Sequence, residues 1–270
     1  MSNRHPTAGF TDVPENDVEL PAGFDREKAK IFTPLQVGPF LLNHRIVHSA
    51  LGRSRSAHGI ESPHAAEYFR QRTTPGSLII SQATSVSLEC IPWPWSVALH
   101  TPTQIQALSR TIAAVHEKGG IWFQQMFHPG RTTSPSLVKR AWEKAGHLEP
   151  PKYGYQPVSS SDVGESGINT HSGEPFGQPR PLTLEEIKEL RGAYKSTAEK
   201  AVLAGADGIE VLAGNGFLLD QFLHDNINHR TDQYGGSIEN RARLILEIID
   251  DIAEVVGHDR IGIRISPFSK

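Results

Sequence analysis

The chain alternates short apolar runs with longer amphipathic segments. The apolar runs cover residues 45–50, 77–84, 121–127, 208–213 and 260–266. Each run has the length of a β-strand, and several of the segments between them repeat their apolar residues with the period of a helix. Apolar strands that alternate with helices are typical of a parallel sheet. The pattern therefore predicts an α/β protein with five parallel strands.

Capping residues predict where the helices begin. A hydroxyl residue precedes each of three predicted helices, together with a proline at the first helical position or a capping-box partner three residues later. These pairs are Ser62 with Pro63, Thr101 with Gln104, and Thr183 with Glu186. A further helix is predicted from about Ile238, with an apolar face formed by Ala242, Ile245, Ile249, Ile252 and Val256.

The predicted architecture is an incomplete TIM (β/α)8-type barrel. A complete barrel needs about 250 residues, and the chain has 270, but the pattern contains only about five of the eight strands. Residues 1–30 are polar and are predicted to form a tail, so the barrel-like domain covers residues 31–270. This domain is predicted to begin with a hairpin at residues 31–44 that turns at a Gly-Pro pair. Residues 127–182 are too long for an ordinary connection and follow a strand, which predicts a lid over the site.

Composition and charge narrow the classes of function. The net charge is −3 and no basic stripe is present, so the sequence does not indicate a nucleic-acid-binding protein. No apolar run approaches the ~20 residues that cross a bilayer, and residues 1–17 have no secretory h-region. The single cysteine, Cys90, cannot form an internal disulfide, which favours a cytoplasmic protein. His224 and His229 have no second pair at zinc spacing, so no metal site is predicted.

The longest distinctive motif is NHRTDQYGGSIENRARLILEII, which precedes the last strand, RIGIRISP. Upstream of it lie FTPLQVGPFLLNHRIV, GSLIISQATSVS, FQQMFHPGR and AGADGIEVLAGNGFLLDQFL. In order and spacing these stretches resemble the old yellow enzyme family of FMN-dependent NADPH dehydrogenases and ene-reductases, from about residue 31 to the end. The resemblance implies an eight-stranded barrel with FMN at the mouth formed by the carboxyl ends of the strands. It also implies NAD(P)H as the reductant and a small-molecule substrate with a conjugated carbonyl.

The resemblance assigns five positions to the flavin. Ala50 and Gly52 would lie along one edge of the ring, Ala83 and Gln125 would contact its pyrimidine half, and Arg264 would lie near N1 and O2. A cation at that place stabilises the anionic reduced flavin. The residues alone leave other interpretations open, since Gln125 is a buried polar group that needs a partner in any protein, and Arg264 could pair with a carboxylate.

The positions that would face the substrate depart from the family pattern. Leu212 occupies the place of the first carbonyl-holding histidine, Asn215 keeps the second place, and Phe217 replaces the tyrosine that supplies a proton. Asparagine beside glycine is also a common turn residue, so Asn215 has two open interpretations. The predicted catalytic positions are therefore Leu212, Asn215 and Phe217 of an active-site-altered member. Without the tyrosine, protonation would come from solvent or substrate, in reduction or isomerisation of a conjugated carbonyl compound within a biosynthetic pathway.

A second departure concerns the end of the barrel. The family's last three strands, with the loops that bind the FMN phosphate, have no counterpart here, so the resemblance is to a C-terminally truncated member. Weak FMN binding is expected, because backbone N–H groups of such loops hold the phosphate. The first and fifth strands would be open edges, which an oligomer or another partner would cover. The competing hypothesis is a pseudoenzyme or partner subunit without flavin.

Overall fold

The computed structural model describes residues 23, 25, 29–87, 95–144, 146–152 and 154–268. The predicted tail at residues 1–30 lies almost entirely outside this part of the chain. The described domain opens with the predicted hairpin, in which β1 (Leu35–Val37) pairs antiparallel with β2 (Phe40–Leu42). Gly38 takes a φ of 51° in the turn, a conformation that glycine adopts without steric cost.

The later strands are β3 (Val47–His48), β4 (Leu78–Ile80), β5 (Thr84–Ser85), β6 (Val97–Ala98), β7 (Ile121–Phe127), β8 (Val158–Ser159), β9 (Ile168–Asn169), β10 (Glu174–Pro175), β11 (Arg180–Pro181), β12 (Gly208–Leu212) and β13 (Ile261–Arg264). The helices are α1 (Pro63–Arg72), α2 (Pro102–His116), α3 (Pro135–Lys144), α4 (Leu184–Leu203), α5 (Leu218–Leu223) and α6 (Ile238–Val256). The central sheet has the parallel strand order β13–β12–β7–β4–β3. The predicted five parallel strands and the incomplete barrel are therefore confirmed.

Helices cover one face of this sheet. Residues from α2, α4 and α6 form a continuous apolar core with the alternate residues of the strands. Trp122 of β7 is fully buried in this core and packs edge-on against Phe69 of α1, with ring centroids 4.8 Å apart. The apolar face of α4, which includes Ile187 and Tyr194, is also fully buried. The helices thus fix the sheet from one side and leave the side chains of its other face to form a concave surface.

Short strands and one helix face differ from the prediction. The apolar run at 77–84 is divided into β4 and β5, and β5 also pairs with β6, so the sheet has seven strands rather than five. Two-residue strands are too short to produce a recognisable hydrophobic period. On α6, Leu244 and Ile248 are buried, whereas Ile249 is only half-buried. The buried stripe of α6 is rotated because this helix packs against α4 and α5 at the same time as the sheet.

The segment between β7 and α4 is folded. It contains α3, the antiparallel pair β9–β10 and the parallel pair β8–β11. Ser159 Oγ donates a hydrogen bond to Gln221 Oε1 of α5 at 2.8 Å, which ties the segment to the loop region that follows β12. The predicted role as a lid stays a prediction. Within the described residues, no helix is both long and apolar enough to cross a membrane.

The N-terminus of α4 has the predicted capping box. Thr183 Oγ1 accepts a hydrogen bond from Glu186 N at 3.2 Å, and Glu186 Oε2 accepts one from Thr183 N at 2.9 Å. Thr183→Ala is expected to lower the free energy of unfolding by about 1 kcal/mol, because the N–H group of Glu186 loses its acceptor. Urea unfolding measures the change, with Thr183→Ser as the control that keeps the hydroxyl. An alanine variant as stable as the serine variant would contradict the role of the cap.

Candidate active site

The predicted site lies on the face of the sheet that the helices do not cover. Side chains alternate between the two faces of a strand. Ile209 and Val211 of β12 belong to the helix-covered core, so Glu210 and Leu212 project to the opposite face. By the same alternation, Gln125 of β7 projects to that face, since Trp122 and Met126 belong to the core.

Gln125 and Glu210 are register partners on β7 and β12. Gln125 Nε2 donates a hydrogen bond to Glu210 Oε1 at 2.6 Å, and both side chains are buried. Burial raises the pKa of Glu210, while the hydrogen bond from Gln125 and the positive charge of Arg264 oppose this rise. Glu210 is not among the site residues predicted from the sequence. Its signal was an acidic residue inside an otherwise apolar strand, because a buried carboxyl needs partners.

Arg264 is the last residue of β13 and pairs in register with Leu212. Its Nη1 donates a hydrogen bond at 3.1 Å to Ser49 Oγ. Ser49 follows β3, the strand at the opposite end of the sheet order. Arg264 therefore extends across the concave face. Arg264 forms no salt bridge with the residues that the structure describes. None of these residues is therefore the carboxylate partner that the alternative interpretation of Arg264 requires.

Apolar side chains flank these polar groups. Leu212 is 3% exposed, and since Val211 pairs with Met126, Leu212 lies beside Phe127. Phe217 is half-buried at the N-terminus of α5, and its ring contacts Phe127 edge-on at a centroid distance of 5.1 Å. Leu212 and Phe217 therefore contribute shape to the site but no proton donor.

Asn215 lies in the turn between β12 and α5. Its backbone has a φ of 60°, and its N–H donates a hydrogen bond to Ser266 Oγ at 2.6 Å. The turn interpretation of Asn215 agrees with this positive φ, which asparagine tolerates better than most residues. Among the described residues, no hydrogen bond uses its exposed side-chain amide. The amide of Asn215 is thus free to bind a ligand at the carboxyl ends of β12 and β13.

The remaining predicted positions lie in the loops after β3 and β4. Ala50 and Ala83 are half-buried, and Gly52 is exposed. Gln82 joins the two loops, because its Oε1 accepts a hydrogen bond from Arg53 N at 3.3 Å. Gln82 Nε2 donates in turn to the buried Glu61 at 3.0 Å. These contacts hold the loop of Ala50 and Gly52 against the one that contains Ala83.

A separate cavity of about 140 Å³ lies between the segment after β7 and α4. His128, Thr133, Arg180 and Glu186 contribute to its walls. Burial lowers the pKa of His128 to about 3, so its imidazole is neutral, and Nδ1 accepts a hydrogen bond from Gly130 N at 3.0 Å. The walls contain none of the residues predicted for the flavin or the substrate.

Comparison with known proteins identifies the family. The model of the NADH:flavin oxidoreductase / NADH oxidase family matches residues 30–270. The chain belongs to this family. Its recognition from the motifs of the sequence is therefore confirmed.

Two curated proteins are similar to this chain over most of its length. The chain is 42% identical over 248 residues to flavin oxidoreductase hxnT of Emericella nidulans, an alignment that covers 88% of this chain and 60% of hxnT. It is 40% identical over 244 residues to putative 12-oxophytodienoate reductase-like protein 2A of Arabidopsis thaliana, with 90% and 85% covered.

Solved structures of the family agree with the fold. Morphinone reductase superposes with a TM-score of 0.78 at 37% identity, over 88% of this chain and 62% of the other. The old yellow enzyme homologue from Zymomonas mobilis gives 0.78 at 34% identity, over 88% and 63%. The chain thus spans about three fifths of the length of hxnT and of these two structures.

The hydrogen-bonding groups on the concave face fit the pyrimidine half of a flavin ring. The pyrimidine half of a flavin presents an N–H donor between two carbonyl acceptors. The amide of Gln125 both donates and accepts hydrogen bonds, and the guanidinium of Arg264 is a donor that remains positively charged. Gln125 and Arg264 are therefore the residues that would hold the ring, with Asn215 at the rim of the same face.

Proposed function

We propose that the protein is an FMN-dependent NAD(P)H oxidoreductase that acts on a conjugated carbonyl compound, by alkene reduction or isomerisation. The observation that carries this proposal is the convergence of Gln125, Glu210 and Arg264 on one concave face of the half-barrel. FMN, when bound, supplies hydride transfer between the nicotinamide and the substrate. Relatives named as reductases of 12-oxophytodienoate and of morphinone, both oxo compounds, support a substrate with a carbonyl group.

Each side chain of the site has a distinct task in this proposal. Arg264 places positive charge where negative charge develops on the ring, and Gln125 orients the ring through hydrogen bonds. Asn215 donates a hydrogen bond from its amide to the carbonyl oxygen of the substrate. Phe217 has no hydroxyl group, so the proton comes from solvent or from the substrate itself.

The location and the partners belong to the same proposal. The single cysteine supports a cytoplasmic protein, and a biosynthetic pathway is the proposed setting. Ile263 of the terminal strand β13 and Ile265 beyond it are 46% and 58% exposed. Apolar side chains at an unpaired strand edge support an oligomer or another partner that covers this edge.

Flavin titration with the complete 270-residue chain tests the proposal. We expect weak FMN binding, with riboflavin binding similarly, because the polar groups of the site face the ring rather than the phosphate. Quenching of flavin fluorescence measures both affinities. Anaerobic NADPH should then bleach the visible flavin absorbance of the loaded protein, and an added enone should restore it. A chain that takes up neither flavin would refute the proposal and would favour a pseudoenzyme without flavin.

A further inference from the structure

We infer that Glu210 is a positioning residue of this site, which holds the amide of Gln125 in the orientation that receives the flavin ring. The inference rests on the proposed function and deepens it. None of the positions assigned by family resemblance includes Glu210. Its role follows from where the structure places its carboxyl group.

Glu210 lies between the two groups that would hold the ring. It pairs in register with Gln125 on one side and with Gly262 on the other, and Arg264 lies two residues beyond Gly262 on the same face of β13. Gln125 donates to its carboxyl at 2.6 Å, and the charge of Arg264 acts on it electrostatically. The carboxyl of Glu210 is thus hydrogen-bonded to the amide of the site and lies in the electrostatic field of its cation.

Packing does not require a carboxyl at this position. The neighbours Ile209 and Val211 are apolar and fully buried, and Glu210 itself is 9% exposed. Burying an ionisable group costs free energy unless it is paired, and a buried polar pair is often no more stable than apolar residues of similar volume at both positions. The buried carboxyl therefore indicates a role in organising its neighbours rather than in stabilising the sheet.

The carboxyl determines which end of the Gln125 amide faces it. Glu210 Oε1 accepts the hydrogen bond from Gln125 Nε2, so the NH₂ group of Gln125 is directed toward Glu210. The Oε1 atom and the second N–H of the amide then remain for a ligand. This acceptor and donor pair complements the N–H and carbonyl groups of the pyrimidine edge. An amide free to reverse would present the wrong group for part of the time and would bind the ring more weakly.

The test compares Glu210→Leu and Glu210→Gln in the complete chain. Leucine removes the acceptor and leaves the Gln125 amide free to reverse, so we expect FMN to bind about tenfold more weakly, as if one hydrogen bond to the ring were lost. Glutamine can accept or donate, so an intermediate loss is expected. Leucine also leaves the buried Nε2 donor of Gln125 without its acceptor, so the thermal midpoint of Glu210→Leu should fall. Glu186→Gln is the matched control, since Glu186 is a buried carboxyl bound by Arg180 and its loss should lower stability without changing FMN affinity.

A double-mutant cycle separates positioning from general damage. If Glu210 acts through Gln125, Glu210→Leu should have little further effect on FMN affinity in a Gln125→Ala background. Additive losses, or a Glu210→Leu variant that binds FMN as tightly as the wild type, would overturn the inference while leaving the proposed function intact.

A second readout needs no flavin. In NMR spectra of the unliganded protein, the side-chain amide signals of Gln125 should shift in Glu210→Leu but not in Glu186→Gln. Unchanged Gln125 signals in Glu210→Leu would overturn the inference whatever the affinity. A wild-type chain that binds no FMN would overturn both the proposed function and the inference, so the two failures are distinguishable.

Discussion

The double substitution Phe217→Tyr with Leu212→His is expected to raise enone reduction by the FMN-loaded protein by about 10²-fold or more. Tyrosine adds a phenol with a pKa near ~10, which is able to donate a proton to the α-carbon of the substrate. Histidine adds a second hydrogen-bond donor to the carbonyl oxygen. The increase is measured as kcat/KM for a simple enone under anaerobic conditions.

The structure gives both new groups a place at the site. The Phe217 ring packs edge-on against Phe127 and is only half-buried, so it does not belong to the closed core. Leu212 lies opposite Arg264 in register and two residues from Glu210, so a histidine there projects to the same face. Both groups act on one substrate, so their effects should couple rather than add.

Controls separate chemistry from a general effect of adding polar groups. Phe40→Tyr adds a phenol in the hairpin, where the Phe40 ring packs against Phe123, and it should leave enone reduction unchanged. Each single variant is measured as well. If the double variant binds FMN, is reduced by NADPH and shows no gain, then Leu212 and Phe217 do not limit the reaction.

The sequence predicted the repeated part of the fold because repetition leaves a pattern. The hairpin, the five parallel strands and the caps at Ser62, Thr101 and Thr183 are all confirmed. The apolar face of α6 was predicted only in part: Ile245 and Ile252 are buried as expected, but Leu244 and Ile248 were missed. A period identifies an apolar stripe but not which neighbouring helices cover it. The division between β4 and β5 was missed because hydrogen bonds of two-residue strands leave no hydrophobic period.

The site was only partly predictable for a different reason. Family motifs assign roles to single positions. Gln125 and Arg264 do lie on the same face, and Asn215 lies in the turn that follows β12, but their roles stay predictions. Glu210 and Ser49 were missed because their significance comes from contacts across strands. Ser49 and Arg264 are 215 positions apart, and no local pattern connects them.

The positive φ of Asn215 allows its side chain to be tested separately from its backbone. Asn215→Asp and Asn215→Gly both tolerate the φ of 60° found here, but neither supplies the amide N–H donor. Each is expected to lower kcat/KM for an enone by about 10²–10³-fold, the usual effect of removing a donor to a developing oxyanion. Anaerobic reduction of the bound flavin by NADPH should be unaffected, because this step does not involve the substrate carbonyl.

Asn226→Asp is the matched control for the added charge, since Asn226 is an exposed asparagine in the segment that follows α5. It should leave both half-reactions unchanged. Asn215→Ala differs from the aspartate and glycine variants, because alanine disfavours a positive φ. It should lower stability as well as activity. If Asn215→Gly reduces the enone as fast as the wild type, then the side chain of Asn215 serves only the turn. The hydrogen bond to the substrate carbonyl would then have to come from another group at the carboxyl ends of β12 and β13.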